Sequence, residues 1–288
     1  MTASAPLFQT PFGHFTPDGK AYVIERADTP KPWVNVIANP RYGTVVSQAG
    51  GGFSWCDHSA LSVLTRWRMD LVRDDWGKWL YVRDEEDGAL WSVAPQPAGQ
   101  HLERYRCTHG LGWTTFETAA RGIAHEWAIT VPPDATHELW FVRLRNEFDR
   151  PRRLFVCSHL MWNLGAAPDN HREFHRLFID NRFDEARALV TARKCLWEVP
   201  TESHGHWNTD YPYEAFHTLW RCDGEPLEGV AACGDHEPLV GRHGSFERPA
   251  WLSAARETKG FGRHGDACAA LGATVKLAPG EEVELWWA

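Results

Sequence analysis

Several segments of the chain alternate apolar and polar side chains with a period of two, and turn residues separate these segments. Such alternation is typical of β-strands with one buried and one exposed face. The clearest segments are residues 78–83, 89–93, 138–146, 153–160, 273–277 and 282–287. A helical period is almost absent, and residues 57–64 and 184–190 are the two short helix candidates. The pattern predicts an all-β protein, either an antiparallel sandwich or a barrel.

The segments between the predicted strands have the composition of turns. Residues 84–88 are acidic and end in Gly88, and they are too long for a two-residue turn. They predict a hairpin with a longer loop between residues 78–83 and 89–93. No linker, low-complexity tract or fixed-period repeat interrupts the chain, so its 288 residues are expected to form one large domain.

Charge and hydropathy argue against two classes of partner. The formal net charge is -8 and the pI is about 6.0, so no basic surface for a nucleic acid is expected. No stretch approaches the roughly 18 apolar residues that span a bilayer. The N-terminal segment has no basic region followed by an apolar run. We therefore expect a cytoplasmic protein without a membrane partner.

The seven cysteines are widely spaced and form no C-x-x-C pair. Neither a disulfide framework nor a structural zinc site is predicted from this distribution. A reducing compartment fits it, and most of the thiols are expected to be small buried hydrophobic groups.

The chain contains 16 tryptophans. An indole offers a broad apolar face with an N–H at its edge, so it can fill the core of a wide sandwich or stack on the C–H face of a sugar ring. Core packing is expected for most of them. The candidates for exposed sugar-stacking positions, chosen for their turn or loop contexts, are Trp55, Trp67, Trp76, Trp162 and Trp207.

Motifs for hydrolysis are weak. The chain has no G-x-S-x-G elbow. Ser158 and His159 are adjacent in one predicted strand, so their side chains are expected to point to opposite faces. Paired carboxylates are the usual device for cleaving glycosidic bonds, although acidic residues in loops are more often only solvated. The candidate groups are Asp169 with Glu173, and Asp70 with Asp74 and Asp75.

The 15 histidines suggest a search for metal ligands. His171 and His175 are four residues apart, but the intervening residues do not make an H-E-x-x-H motif, and the context is that of a strand or loop. His204 and His206 flank a glycine in a predicted loop. No metal site is expected from these patterns.

Asp169, Asn170, His171 and Arg172 form the most suggestive polar segment, directly after the apolar strand that ends near Trp162. Four different polar side chains in a row can hydrogen-bond several sugar hydroxyls at once, whereas a structural loop needs only one or two such groups. Both interpretations remain open, and these four residues are the substrate-binding candidates.

A series of short motifs runs in order along nearly the whole chain. They are FGHF at 12–15, DGKAYVI at 18–24, DTPKPWVN at 28–35, GGFSW at 51–55, YVRD at 81–84, LWS at 90–92, HGLGWT at 109–114, NHxxF at 170–174, GDACAAL at 265–271 and LAPGEE at 277–282. Together they resemble the first domain of the cellobiose and chitobiose phosphorylases of glycoside hydrolase family 94. The cyclic β-1,2-glucan synthases carry similar domains, and residues 12–24 favour the phosphorylases. Trp33, Trp91 and Trp113 lie within these motifs and are expected in the core.

The resemblance implies an all-β fold, a large antiparallel supersandwich like that of galactose mutarotase. In the family, a helical linker and an (α/α)6 barrel follow this domain. The barrel holds the catalytic aspartate and the site for inorganic phosphate, the co-substrate. We find no counterpart of these residues here. The chain is therefore expected to be a single supersandwich domain over residues 1–288, without the barrel, catalytic residues or a cofactor.

The resemblance also implies a role for residues 163–174. In the family dimers, a loop of the first domain borders the substrate cleft of the neighbouring subunit, and Asp169, Asn170, His171 and Arg172 match that loop by position. The implied function is dimerisation and the bordering of a barrel subunit's cleft. The implied partners are β-linked glucose oligosaccharides and either a second copy or a separate barrel subunit. Residues 165–168 differ from a chitobiose enzyme, so substrate choice does not carry over.

Two alternatives remain open. The chain could be a free-standing mutarotase, epimerase or hydrolase on the same fold, with His159, His171 and Glu173 as the acid–base group. It could also be an oligosaccharide-binding module that uses exposed indoles and performs no chemistry.

Overall fold

The computed structural model describes residues 6–74, 76–167, 173–195, 197–200, 206–209, 211–254 and 256–288. Its strands are β1 (Gly13–Phe15), β2 (Ala21–Ile24), β3 (Val34–Ala38), β4 (Tyr42–Ser47), β5 (Ser54–Cys56), β6 (Val63–Thr65), β7 (Trp79–Asp84), β8 (Leu90–Ser92), β9 (Arg104–Gly110), β10 (Trp113–Ala120), β11 (Ile123–Thr130), β12 (Leu139–Asn146), β13 (Arg152–Gly165), β14 (Ile179–Asp184), β15 (Leu189–Lys194), β16 (Trp197–Pro200), β17 (His206–Thr209), β18 (Ala215–Arg221), β19 (Glu228–Asp235), β20 (Ala267–Leu277) and β21 (Glu282–Trp287). The α-helices are α1 (His236–Val240) and α2 (Ala250–Ser253), and 3-10 helices cover Glu173–Phe178 and Glu185–Arg187. No helix in these ranges has the length and apolar character needed to cross a bilayer.

Ten of the described strands form sheet I, in the order β1-β2-β9-β10-β11-β12-β21-β18-β15-β14. Neighbouring strands pair antiparallel throughout. The β10–β11 hairpin turns at Arg121 and Gly122, whose φ angles of 53° and 73° give the type I′ geometry that matches strand twist. Strand β21 lies between β12 and β18, so the end of the chain completes the middle of the sheet.

Nine further strands of the described chain form sheet II, in the order β19-β20-β13-β6-β5-β4-β3, with β7 and β8 attached beside β13. The long strand β13 pairs with β7 along its first half and with β6 beyond it. Its 14 residues let one strand bind two different partners along the same edge. Strands β16 and β17 pair only with each other.

The facing surfaces of sheets I and II enclose the main core. Ile123, His125, Trp127 and Ile129 of β11 are buried, whereas the residues between them are partly exposed, as the period of two requires. The Trp127 ring contacts Phe116 at 5.2 Å and Trp140 at 5.3 Å between centroids. Trp91 and Trp287 are also fully buried in this core. Large indole rings therefore fill the space between the sheets.

A second apolar cluster covers the outer face of sheet II. Helices α1 and α2 supply Leu239, Val240, Trp251 and Leu252 to it. The Trp251 ring meets Phe155 of β13 edge-on at 6.1 Å. Two short helices thus form a third layer, because tertiary packing stabilises segments too short to be helical alone.

Asn146, at the end of β12, connects two turns by hydrogen bonds, and each of these turns links a strand of sheet I to a strand of sheet II. It is fully buried, and its side-chain Nδ2 donates to the Leu277 carbonyl at 3.1 Å and the Ala278 carbonyl at 3.2 Å. Its backbone accepts from Gly280 N–H at 2.9 Å and donates to the Glu281 carbonyl at 3.0 Å. The turn from β12 to β13 is therefore fastened to the turn from β20 to β21.

The predicted all-β class and large antiparallel sheets are confirmed. The predicted hairpin at 78–83 and 89–93 is present as β7 and β8. The helix predicted at 57–64 is wrong, because Asp57 takes a φ of 61° and the segment closes a turn into β6. At 184–190, only one 3-10 turn forms before β15 begins.

Most cysteines are buried as the sequence predicts, whereas the prediction for the tryptophans holds only in part. Five of the seven cysteines are buried, and only Cys195 and Cys222 are exposed. Trp91 is in the core as expected, but the same expectation for Trp113 is wrong, since 39% of that residue is exposed. Trp113 faces away from the core because core-facing Thr114 is its immediate neighbour in β10. Trp33 is half-buried against the core edge.

Position 52 requires a glycine because the backbone of β4 passes too close to leave room for a side chain. A Cβ built at this position would lie 1.9 Å from the Val45 carbonyl oxygen, and the residue has a φ of 142°. We expect Gly52→Ala to lower the free energy of unfolding by more than about 3 kcal/mol, because both the backbone conformation and the contact must change. Urea unfolding measures the effect.

Gly19 provides the matched control, since its φ is 70° and a Cβ there would meet nothing within 4 Å. Gly19→Ala should cost only about 1 kcal/mol, the penalty of the left-handed backbone. Equal losses in the two variants would contradict the role given to Gly52.

Candidate functional site

The loop predicted to bind substrate lies outside the described residues: Asp169, Asn170, His171 and Arg172 are all in the undescribed range 168–172. The chain that leads into it is defined. Strand β13 has an irregular register with β6 between Trp162 and Gly165. Asn163 Nδ2 then donates to the Gly165 carbonyl at 3.0 Å and the Ala166 carbonyl at 3.2 Å. These bonds set the direction in which the chain leaves sheet II.

The described part of the other acidic candidate group makes no catalytic pair. Asp70 accepts backbone N–H groups of Val72 and Arg73 at 2.8 and 3.1 Å, so it acts as a turn cap. Asp74 is buried and accepts from Ser47 Oγ at 2.5 Å. Asp75 lies outside the described residues, as does the side chain of Glu173.

The strongest candidate for a site is a cavity of about 260 Å³ at one end of the main core. It lies where β12 begins and β21 ends, between sheets I and II. Aromatic rings line much of it, with a few polar groups among them, a combination typical of small-molecule sites. The lining residues that matter for chemistry are Tyr42, Glu138, Trp140, Trp162, Tyr213 and His217.

Glu138 lines the cavity and forms a buried ion pair with Lys78. Lys78 Nζ lies 2.5 Å and 2.7 Å from the two carboxylate oxygens of Glu138. The ammonium also donates to Thr44 Oγ1 at 2.6 Å and Ser54 Oγ at 2.8 Å. Trp140 Nε1 donates to Glu138 Oε1 at 3.0 Å, and Ser54 Oγ donates to Oε2 at 3.0 Å. Every proton of the ammonium and both carboxylate oxygens are therefore engaged.

Burial and the opposite charge act in opposing directions on the pKa values of this pair. Burial alone would raise the pKa of Glu138, but the Lys78 charge and the hydrogen bonds from Lys78, Thr44 and Ser54 outweigh it and lower that pKa. Burial lowers the pKa of Lys78, and the Glu138 charge opposes that shift. A carboxylate held in this way is a poor general acid, because it resists protonation.

His217 makes a second polar contact at the cavity. Its Nε2 lies 2.7 Å from Ser158 Oγ, and its Nδ1 lies 3.1 Å from the Ala288 carbonyl oxygen. A neutral ring with its hydrogen on Nδ1 donates to the Ala288 carbonyl. The single hydrogen of the Ser158 hydroxyl can then point to His217 Nε2 or to the Leu271 carbonyl oxygen, which lies 3.0 Å away. Burial lowers the pKa of His217 to about 4, so the ring is neutral at pH 7. The Ser158 hydroxyl is fully buried, which keeps a substrate away from this serine–histidine pair.

Trp162 lines the cavity and has an indole N–H without a hydrogen-bond partner among the described residues. Only 2% of the residue is exposed. Trp162 was expected to be an exposed sugar-stacking indole, and that expectation is wrong, because alternation in β13 turns it toward the core. Trp55, Trp67 and Trp76 are half-buried, and the side chain of Trp207 lies outside the described residues.

His159 lies on the opposite face of β13 from Ser158, as the strand period predicts. It is 1% exposed, and both ring nitrogens lack a partner within the described ranges. Phe246 covers it at 5.1 Å between ring centroids. Burial lowers the pKa of His159 to about 3. This side chain is separated from the cavity by the sheet, so it does not join an acid–base group there.

The described histidines, cysteines and carboxylates include no group of three or more arranged to hold a metal ion. Asp266 is the most strongly held of these carboxylates. Arg66 donates to both of its oxygens, at 3.1 and 2.7 Å, and His236 Nδ1 lies 3.4 Å away. Although burial raises the pKa of Asp266, these contacts lower it well below its usual range.

Residues 20–288 match the family model described as the supersandwich domain of glycosyl hydrolase 94. The chain belongs to glycoside hydrolase family 94. The match includes every described strand except β1, the cavity and the helices α1 and α2, so the site described above is part of the family 94 supersandwich domain. The resemblance predicted from the ordered motifs is therefore confirmed.

Similar proteins of known activity include phosphorylases and a glucan synthase. An N,N'-diacetylchitobiose phosphorylase of Vibrio furnissii is 33% identical over 145 residues, which are 50% of this chain and 18% of that protein. A solabiose phosphorylase of Paenibacillus borealis is 36% identical over 53% of this chain and 20% of its own length. A cyclic β-(1,2)-glucan synthase of Rhizobium meliloti is 30% identical over 279 residues, 96% of this chain and 9% of that protein. The chain thus spans a fifth or less of these relatives.

Solved structures with a similar arrangement include two sugar-related proteins. A putative aldose 1-epimerase from Escherichia coli has a TM-score of 0.44 and 11% identity, over 88% of this chain and 97% of its own. A galactose mutarotase related enzyme from Lactobacillus acidophilus has a TM-score of 0.39 and 9% identity, over 89% of this chain and 97% of its own.

Sequence reasoning missed the two polar contacts at the cavity. Lys78 and Glu138 are 60 residues apart, and Ser158 and His217 are 59 apart. One signal was present: Lys78 and Glu138 each stand at the start of a strongly apolar strand, where a charged residue is unexpected unless it is paired.

The buried ion pair gives a direct test of the site. We expect Lys78→Met to lower the free energy of unfolding by about 3–5 kcal/mol, because the Glu138 carboxylate stays buried without its counter-ion. The double variant Lys78→Met with Glu138→Leu should recover much of that loss. Urea unfolding of the wild type, Lys78→Met, Glu138→Leu and the double variant gives the coupling free energy.

The exposed pair of Arg104 and Glu147, 2.9 Å apart, is the control. Arg104→Met should cost under about 1 kcal/mol, since solvent screens this pair. A loss as large as that of Lys78→Met would show that burial is not the cause.

The pH dependence of stability tests the buried, neutral state of His159 and His217. Both have folded-state pKa values, about 3 and about 4, below the value of about 6.5 in an unfolded chain. The unfolded state therefore binds protons first, and stability falls as the pH drops from 6.5 toward 4. Each histidine contributes up to about 1.4 kcal/mol per pH unit to this fall.

His159→Leu should remove one such contribution with little loss at pH 7, since its ring makes no hydrogen bond. His217→Leu should remove a similar contribution but cost about 1–3 kcal/mol at pH 7, because the ring's hydrogen bonds with Ser158 and the Ala288 carbonyl are lost. Urea unfolding between pH 4.5 and pH 7 checks both. An unchanged pH slope in His159→Leu would contradict the assignment.

Proposed function

We propose that this chain is the non-catalytic supersandwich domain of a β-glucoside or disaccharide phosphorylase, or of a related glucan-synthase system. In this role it dimerises and borders the substrate cleft of a barrel subunit. The chemistry, an inverting attack of inorganic phosphate on the anomeric carbon, would take place on that barrel. The single observation that carries the proposal is the family 94 supersandwich match over residues 20–288.

The relatives support the sugar-related part of the proposal. The phosphorylases match this chain over about half of its length, at 33% and 36% identity. The glucan synthase matches 96% of it. All three are named for saccharides, and the synthase is named for a β-(1,2)-glucan, so β-linked glucose oligosaccharides are the proposed substrates of the complete system.

The polar groups at the cavity are buried and already hydrogen-bonded, which supports a role without catalysis. Glycosidic cleavage needs a general acid whose pKa is tuned near the working pH. Glu138 has a lowered pKa and two engaged oxygens, and Ser158 is fully buried. These groups stabilise the end of the sandwich, and they would have to break their existing contacts to move a proton.

The loop that follows β13 is the proposed contact with the cleft. The chain that leads into it is fixed by Asn163 and by the Ala167 N–H, which donates to the Ala60 carbonyl at 2.9 Å. Asp169, Asn170, His171 and Arg172 would then present donors and acceptors to sugar hydroxyls of a neighbouring subunit. The free thiols fit the proposed location in a reducing cytoplasm.

The proposal predicts that the chain alone releases no phosphate from α-glucose 1-phosphate in the presence of glucose. Phosphate is measured against a buffer blank and against a family phosphorylase as positive control. Sedimentation velocity on the same sample tests dimerisation, and we expect a dimer. Phosphate release proportional to protein concentration would overturn the non-catalytic role. A monomer at every concentration would overturn the dimeric one.

A further inference from the structure

Three aromatic side chains form a row across the outer face of sheet I. Phe141 of β12 is the register partner of Trp286 of β21, and Trp286 is the partner of Trp220 of β18. The ring centroids of Phe141 and Trp286 are 5.2 Å apart. The Trp286 and Trp220 rings are parallel to within 7° at 6.3 Å. We call these three residues the aromatic row.

The row is not part of the core. Leu219, Leu285 and Trp287 point inward and are buried, so the period of two places Trp220 and Trp286 on the opposite face. Trp220 is 38% exposed, and Phe141 and Trp286 are partly exposed. A single exposed aromatic residue is ordinary, but three in adjacent strands form a continuous apolar strip.

A polar groove of about 550 Å³ adjoins the row on the same face. Four arginines and four glutamates line it. Arg143 connects the two features, since its guanidinium lies 5.2 Å from the centre of the Phe141 ring. It also donates to Glu126 and Glu284, at 2.8 Å each. The groove therefore offers many donors and acceptors with little net charge.

We propose that this outer face binds a neutral oligosaccharide, with its sugar rings stacked on the aromatic row and its hydroxyls turned to the charged groove. This site rests on the proposed function for its ligand class, but it is separate from the cavity and from the loop at 169–172. It adds a saccharide-binding surface to a domain whose proposed role is to support another subunit's cleft.

The chemistry of the face selects this class of ligand. A pyranose ring has an apolar C–H face and a rim of hydroxyls, so it needs an aromatic surface beside polar groups. Adjacent strands are about 4.8 Å apart, which places one ring of the row under each sugar of an extended chain. An anion would meet the glutamates as well as the arginines, so a neutral ligand is favoured.

The same face is a poor match for a protein partner. The centres of protein interfaces are depleted of charged residues. Here the row is a single residue wide, and Arg143, Glu126 and Glu284 lie directly beside it. A second copy of the chain would have to bury these charges to cover the indoles, at a cost that scales with their desolvation.

The test is isothermal calorimetry of the whole chain with cellotriose, laminaritriose and sophorotriose. Binding of at least one trisaccharide is expected, with Trp220→Ala and Trp286→Ala each weakening it at least tenfold. Trp113→Ala is the matched control, because Trp113 is 39% exposed but lies outside the row. Thermal unfolding of each variant confirms that it is folded at the titration temperature.

Several results would overturn the site. They are flat titrations of the wild-type chain with all three sugars, unchanged affinity in both row variants, or equal weakening in Trp113→Ala. Self-association that Trp220→Ala abolishes, without saccharide binding, would assign the row to a dimer instead. Phosphate release by the chain bears on the proposed function alone, so failure of the two ideas can be told apart.

Discussion

Two broad sheets that face each other across about 10 Å must fill the gap between them with large side chains. This chain fills it with indoles. Trp127 contacts Phe116 and Trp140, while Trp91 and Trp287 occupy neighbouring positions of the same layer. Where that layer ends, beside Trp140 and Trp162, the space between the sheets stays partly open, and the cavity forms there. The cavity is thus the unfilled space between the two sheets beyond the last indole rings of the core.

The polar groups at the cavity follow from the same geometry. Trp140 carries an N–H into the apolar layer, and Glu138 accepts it; Lys78 then neutralises Glu138. Each polar group is the hydrogen-bond partner of the one before it, so the network stabilises the fold. A proton transfer would have to break these bonds. We therefore propose two other surfaces for sugars, the loop after β13 and the outer face of sheet I, where Phe141, Trp220 and Trp286 are partly exposed.

Much of this could be predicted from the sequence, because a period of two and turn residues act locally. The β7–β8 hairpin and the strands β12, β20 and β21 follow from that pattern. The pattern does not decide which of two adjacent indoles faces the core, and so Trp286 and Trp287 could be assigned only from the paired sheet. Helices α1 and α2 were missed because packing on sheet II stabilises them. The Lys78–Glu138 pair was missed because its partners lie on different sheets, far apart in sequence.

Strand β21 is the last element of the chain, yet it is the only strand of the described structure that joins β12 to β18. Until residues 282–287 are available, sheet I exists as two separate halves with unpaired edges. The pairings of β21 with β12 and β18 are contacts of high sequence separation. During synthesis, the domain must therefore remain incomplete until its final strand has left the ribosome.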